Sequence, residues 1–153
     1  MKKYLFMLVA VFAMSTAAFA QKGVTAFGVQ GDYDDWNGQF GIGVKLQHNF
    51  ADQFRSEIGT DLFFKKYDIS IVDVNANFHY VVPVASQFNV YPLVGANIAF
   101  FNHDIPTRIG LNLGGGLEYY ITDTVKLVGE AKYIVSDNGF SRFGANFGFA
   151  FMF

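Results

Sequence analysis

Cysteine is absent from the 153 residues, which excludes disulfides, thiolate nucleophiles and thiolate metal sites. Proline occurs only three times and tryptophan once. The formal net charge is −2, which gives no basic footprint for nucleic acid. Beyond residue 20 there is no apolar run long enough to cross a membrane as a helix, and no segment repeats with the 3.6-residue period of an amphipathic helix. What is abundant is 19 Phe, 8 Tyr and 16 Gly, a composition suited to strands and tight turns. A fold without cysteine must close by hydrogen bonding and packing alone.

The first twenty residues differ from the rest. Lys2 and Lys3 make a positive start, Tyr4 to Phe12 an apolar core, and Ala18-Phe19-Ala20 a small-x-small end. This is the layout of a secretory signal peptide, with cleavage expected after Ala20. The core is too short for about 30 Å of hydrocarbon, which disfavours an uncleaved anchor. Residues 1–20 are therefore expected to be removed, leaving one domain over 21–153.

From Gly23 onward apolar and polar residues alternate with period two. Turn-forming clusters interrupt at Asp34–Gly38, Asn49–Gln53, Lys65–Ser70, Val82–Gln87, Asn102–Thr107, Thr122–Thr124 and Ser136–Ser141. Seven breaks leave eight strands of about ten residues, the length a tilted strand needs to cross a bilayer and more than a typical globular strand.

The two strand faces differ in chemistry. One is bulky and apolar, from Phe27 and Val29 through Phe78 and Leu113 to Phe147, Phe149 and Phe151, and it carries no Asp, Glu, Lys or Arg. The other carries Asp32, Glu57, Asp61, Asp73, Glu118 and Glu130 against Lys45, Arg55, Arg108, Lys126, Lys132 and Arg142, with Asn, Gln and many Gly between. A soluble barrel would turn the bulky face inward, but an eight-stranded interior is only just wide enough for side chains. The glycine-rich charged face fits that interior, and the bulky face fits lipid. Hydrocarbon gives an open sheet edge no hydrogen-bond partner, so the first and last strands must pair. The expected fold is all-β, an eight-stranded antiparallel up-and-down transmembrane β-barrel in the bacterial outer membrane. Aromatic girdles are expected at both interfaces: Tyr33, Phe40, Phe100 and Tyr133 at the outer rim, and Phe54, Tyr80, Tyr119 and Phe151 at the periplasmic rim. Pro92 cannot donate to a ladder, and predicts a bulge or an unpaired strand start.

Two stretches carry a family resemblance. Gly114-Gly115-Gly116-Leu117-Glu118-Tyr119-Tyr120, the turn Thr122-Asp123-Thr124 and Glu130-Ala131-Lys132-Tyr133 resemble a glycine-rich strand, periplasmic turn and charged-aromatic strand of the OmpA/OmpX-like small outer-membrane barrels. Phe147-Gly148-Phe149-Ala150-Phe151-Met152-Phe153 resembles that family's terminal signal. The resemblance implies recognition of Phe149, Phe151 and Phe153 by the barrel-assembly machinery. It also permits a gate or a narrow solute path. Pro92-Leu93-Val94-Gly95-Ala96 is similar to the family's fifth strand, with Leu93 where an aromatic is more usual.

Inside the barrel, Lys45, Arg55, Glu57, Asp61, Glu118, Lys126, Glu130, Lys132 and Arg142 are the expected core of a salt-bridge network, since buried charges must be paired. Such a network reads as a plug, or alternatively as a rearrangeable gate. Three scattered histidines (His48, His79 and His103) make no metal site, and Ser70, Ser136 and Ser141 make no triad by spacing, so no catalytic, cofactor or metal residue is assigned. Gly114-Gly115-Gly116 precedes no helix and is not a phosphate loop. Trp36 is expected as an exposed interface anchor in the first outer loop. The expected partners are the bilayer, lipopolysaccharide and the assembly machinery, with no nucleic acid and no oligomeric state assigned. The function expected is a structural or envelope role with at most narrow, gated permeability. A surface interaction role of the OmpX type is the alternative, and a lipid-modifying enzyme a more distant one.

Overall fold

The computed structural model describes residues 22–153. The signal-peptide reading, with its Ala18 and Ala20 end, falls outside the described residues. Strands run β1 (Thr25–Asp34), β2 (Gln39–Asn49), β3 (Phe54–Lys66), β4 (Ile69–Tyr80), β5 (Val82–Ala85), β6 (Phe88–Phe101), β7 (Arg108–Tyr120), β8 (Val125–Ser136) and β9 (Ser141–Met152). Each pairs antiparallel with its neighbours, and β1 pairs with β9 to close the cylinder. The β4 and β5 segments are one wall strand interrupted at Val81, and both pair with β6, so the barrel has eight walls. Phe153 closes the seam: its N–H donates to Thr25 O and its carbonyl accepts from Thr25 N–H.

Two expectations about this wall are corrected. The segment Val82–Ala85 is strand, not turn, and only Ser86 and Gln87 connect it to β6. Pro92 causes no bulge in its own strand, for β6 stays in register with β7 through Pro92↔Gly115. The irregularity lies next door. Pairing of β6 with β4 ends at Leu93↔His79 and resumes with β5 at Val90↔Val82, while the Val81 N–H donates to Gln53 O instead. The neighbouring strand breaks where the missing proline donor would have been used.

The barrel end opposite the termini carries the connections 35–38, 67–68, 102–107 and 137–140. The shortest, Tyr67-Asp68, has positive φ at both residues, the I′ pattern that matches strand twist. In β2 the register buries Gln39, Gly41, Gly43, Lys45, Gln47 and Asn49 and exposes the residues between them, and the other walls follow the same alternation. Phe40, Ile58, Phe78, Leu111 and Phe147 stand on the outside.

Each mouth is stoppered by apolar groups. At the terminus end Ala26, Val81, Tyr91, Leu93, Val128 and Ala150 cluster, with Met152 against them. At the loop end Phe63, Ile71 and Ala99 pack under Trp36, Ile69 and Phe101. Burying apolar surface at both mouths leaves the charged middle out of contact with bulk water.

Candidate functional site

The lumen holds the chemistry. At its terminus side, Glu118 of β7 gathers four donors. Arg55 Nη1 lies 2.8 Å away, Lys126 Nζ 2.9 Å, Asn89 Nδ2 3.0 Å and the Tyr120 hydroxyl 3.0 Å. These residues meet because β3, β6, β7 and β8 all present inward positions near their terminus-side ends. Above them Lys45 pairs with Glu130 and stands 3.7 Å from Glu57. Glu57 also accepts from Gln47 Nε2 at 2.8 Å and Asn77 Nδ2 at 2.9 Å. Three carboxylates thus face three cations.

His79 belongs to this layer. Its ring stacks on Tyr91 at 4.5 Å, with the Arg55 guanidinium 4.7 Å from the Tyr91 centroid. Gly116 leaves the room this needs, because a Cβ there would meet the Tyr91 ring at 2.5 Å. One carboxylate oxygen each of Glu57 and Glu130 lies close enough to a His79 ring nitrogen to suggest a metal centre. The protons argue otherwise. His79 Nδ1 accepts from Arg55 Nε and Nη2, both at 3.1 Å, and an arginine can only donate. The neutral ring therefore carries its hydrogen on Nε2, 3.7 Å from Glu57 Oε1, and offers no lone pair there. Lys45 already occupies the carboxylate side. These residues do not fit a resident metal.

The loop side is organised around Arg142. It donates to Asp34 Oδ2 at 2.5 Å and to both oxygens of Asp73 at 2.7 Å. Lys132 lies 3.6 Å from Asp61. Among the described residues Asp32 has no cation within pairing distance, and a neutral amide serves it: Gln30 Nε2 donates to Asp32 Oδ1 at 2.7 Å and to Asp61 Oδ1 at 3.0 Å. Both carboxylates lean over Gly43, whose missing side chain provides their space.

All nine residues expected in the lumen network point inward and are buried. The balance of six acids and six bases is corrected. Asp34, expected in a turn, is the last inward residue of β1 and fully buried, which makes seven buried carboxylates. Arg108 is only half-buried at the mouth, its guanidinium 5.5 Å from the Phe140 ring, which leaves five buried cations. Trp36 is also corrected. It is half-buried and packs edge-on against Phe140 at 4.9 Å and Phe101 at 5.5 Å, turned over the mouth rather than toward lipid.

The asparagines read as filler in the sequence, yet they join the two halves. Asn75 Nδ2 donates to Asp61 at 2.8 Å, and Asn75 Oδ1 accepts from Asn97 and Asn112. Asn112 Nδ2 also donates to Asn77 Oδ1 at 2.8 Å, and Asn77 reaches Glu57. Their recurrence at inward positions of β4, β6 and β7 was the available signal.

On the outside, the aromatic residues pair near the strand ends. Tyr33 lies 5.3 Å from Phe40 at the loop side, and Phe54 5.2 Å from Tyr80 at the terminus side. Tyr133 stands opposite Phe143, and Phe151 opposite Phe27. Phe100 and Tyr119 are likewise outward, as are Phe149 and Phe153 at the closing seam. The hydroxyls of Ser70, Ser136 and Ser141 make no hydrogen bond to a histidine among the described residues.

Comparison with known proteins accords with this architecture. Neisserial surface protein A superposes with a TM-score of 0.69 at 16% identity, over 85% of this chain and 96% of that one. The N-terminal β-barrel domain of Pseudomonas aeruginosa OprF gives 0.68 at 15%, over 86% and 98%. Ail, the attachment invasion locus protein of Yersinia pestis, gives 0.60 at 15%, over 87% and 100%. No curated protein is significantly similar in sequence. These identities are low enough that the superpositions speak to fold alone. The family model for the outer membrane protein beta-barrel domain matches residues 6–153. With a closed eight-walled barrel, an apolar exterior and a charged interior, the chain belongs to the outer-membrane β-barrel protein family.

Proposed function

We propose that this protein serves the Gram-negative envelope as a sealed structural barrel, with permeability limited to narrow, gated openings. The observation that carries the proposal is the filled lumen: apolar clusters at both mouths and a continuous ladder of buried ion pairs and amides between them. A general diffusion pore needs a wider cylinder than eight strands provide. Export rests on the N-terminal pattern, and assembly on the alternating aromatics Phe149 and Phe151 of β9 and Phe153 just after it.

Proteoliposome swelling tests the sealed state. Vesicles carrying the refolded barrel should swell in small sugars no faster than empty vesicles, and swelling at porin-like rates would overturn the proposal. A surface-interaction role has less support. Ail is named for attachment and invasion, and its structure is known with the heparin analogue sucrose octasulfate. Here the loop-end connections have only four, two, six and four residues. With the adjoining end of β3 they also mix Lys65, Lys66 and His103 with Asp35, Asp68, Asp104 and Asp137 instead of forming a basic patch. Retention on heparin resin at physiological salt would revive that role.

A further inference from the structure

The loop-side lumen is short of positive charge. Four buried carboxylates (Asp32, Asp34, Asp61 and Asp73) face two buried cations, Arg142 and Lys132, and this leaves a deficit of two charges. The carboxylates line a small cavity that admits the centre of a water-sized sphere over about 10 Å³, room for about one water or one bare cation. Asn146 of β9 also lines it, adjacent to Asp32 of β1 in the ladder. Asn146 is 9% exposed, and its side-chain oxygen has no hydrogen-bond partner. Asp32 Oδ2, in a residue 6% exposed, has none either. Two residues with an orphaned side-chain oxygen, Asp32 and Asn146, thus line the same small space. Each costs free energy where it stands unless something donates to it or binds it.

We propose that this chamber is a cation site that takes one hard divalent ion, with Ca²⁺ the fitting species. Its free donors are the orphaned oxygens of Asp32 and Asn146; the Asp61 and Asp73 carboxylates, already held by Lys132 and Arg142, would be shared with the ion, and Lys132 also lines the chamber. The charge deficit matches one divalent ion. Size selects between the common candidates. Mg²⁺ keeps several of its waters, for which the cavity has no room, whereas Ca²⁺ accepts an irregular shell of protein oxygens. Asp34 and Asp73 remain bound to Arg142, so the ion and the guanidinium share the carboxylate cluster without competing for Asp32.

The test refolds the full mature barrel in detergent with Ca²⁺, removes free ion by gel filtration, and measures bound metal by mass spectrometry. A heat-modifiable gel shift verifies folding of each variant. Wild type should retain about one Ca²⁺ per barrel and unfold at a higher temperature than after chelator treatment. Asp32→Asn keeps the shape and removes the charge, and should bind at least about tenfold more weakly. Asn146→Ala should also weaken binding, and it gives an independent reading if one variant fails to fold. Asp104→Asn, an exposed loop acid, should retain the ion. Wild type free of Ca²⁺ overturns the proposal, as does equal retention by Asp32→Asn and Asn146→Ala, or preferential retention of Mg²⁺.

Discussion

At the terminus side of the lumen Glu118 is met by two cations, an amide and a phenol, whereas at the loop side Asp32 is met by one amide and Arg142 divides itself between two aspartates. The same residue types line both halves, on the same alternating strands, and reach different electrostatic ends. The terminus side is balanced in charge, with Glu57, Glu118 and Glu130 against Lys45, Arg55 and Lys126. The loop side carries surplus carboxylate, with Asp32, Asp34, Asp61 and Asp73 against Lys132 and Arg142. Charge balance makes a lock, because every buried charge there depends on its partners. Surplus makes a receptive site, because a bound cation would lower the free energy of the folded state. One barrel can therefore be structural at one end and responsive at the other.

Substitutions should separate the halves by size and by sign. The largest effect is expected from Glu118→Ala, which strands Arg55 and Lys126 in the interior. Guanidinium unfolding followed by far-UV circular dichroism should show a loss of about 3–5 kcal/mol. A loss below about 1 kcal/mol would mean that the lock is not where the geometry puts it. Gly116→Ala comes next, since its methyl group would collide with the Tyr91 ring and with Glu130. Overpacking there should cost about 1–3 kcal/mol in the same assay. Asp32→Asn should act in the opposite direction. In chelator it removes an unpartnered buried charge, and the barrel should gain about 1 kcal/mol. Destabilisation by that variant would show that the loop side is as balanced as the other.

The smallest effect lies outside the lumen. The Lys65 ammonium, 3.0 Å away and hydrogen-bonded to it, holds the Asp68 carboxyl below the usual carboxylate range. A depressed folded-state value contributes stability that is present at neutral pH and lost as pH falls through that value. Asp68 is fully exposed, so solvent screens the pair. Asp68→Asn should leave the unfolding midpoint at neutral pH unchanged within error, which a denaturant titration can check.

The faces of this barrel were legible because alternation and charge are local properties. From Phe27 to Phe151 the bulky side never carries a charge, so parity alone assigns lipid and lumen. Boundaries were less legible. Pro83 with Ser86-Gln87 looks like one turn, yet Val82–Ala85 keeps pairing with β6. Asp34 looks like the start of the Asp35-Trp36-Asn37-Gly38 turn, yet it pairs with Gln39 and Gly144 on the flanking strands and reaches Arg142. That single shift of boundary changed the charge balance of the site. Partner choice was not legible at all. Arg55 finds Glu118 from 63 positions away, through the shear of a closed sheet, and no local pattern encodes that offset. Trp36 is illegible for a related reason: its neighbours Phe101, at the end of β6, and Phe140, in the 137–140 connection, are distant in sequence.

The terminus-side lock is what seals the lumen. Single-barrel recording in planar bilayers, wild type beside Glu118→Gln, tests this most directly. Wild type should hold a closed baseline broken only by brief, small openings. Glu118→Gln, with Arg55 and Lys126 released from their carboxylate, should open longer and more often. A steady ohmic conductance in wild type, unchanged by Glu118→Gln, would contradict the sealed lumen.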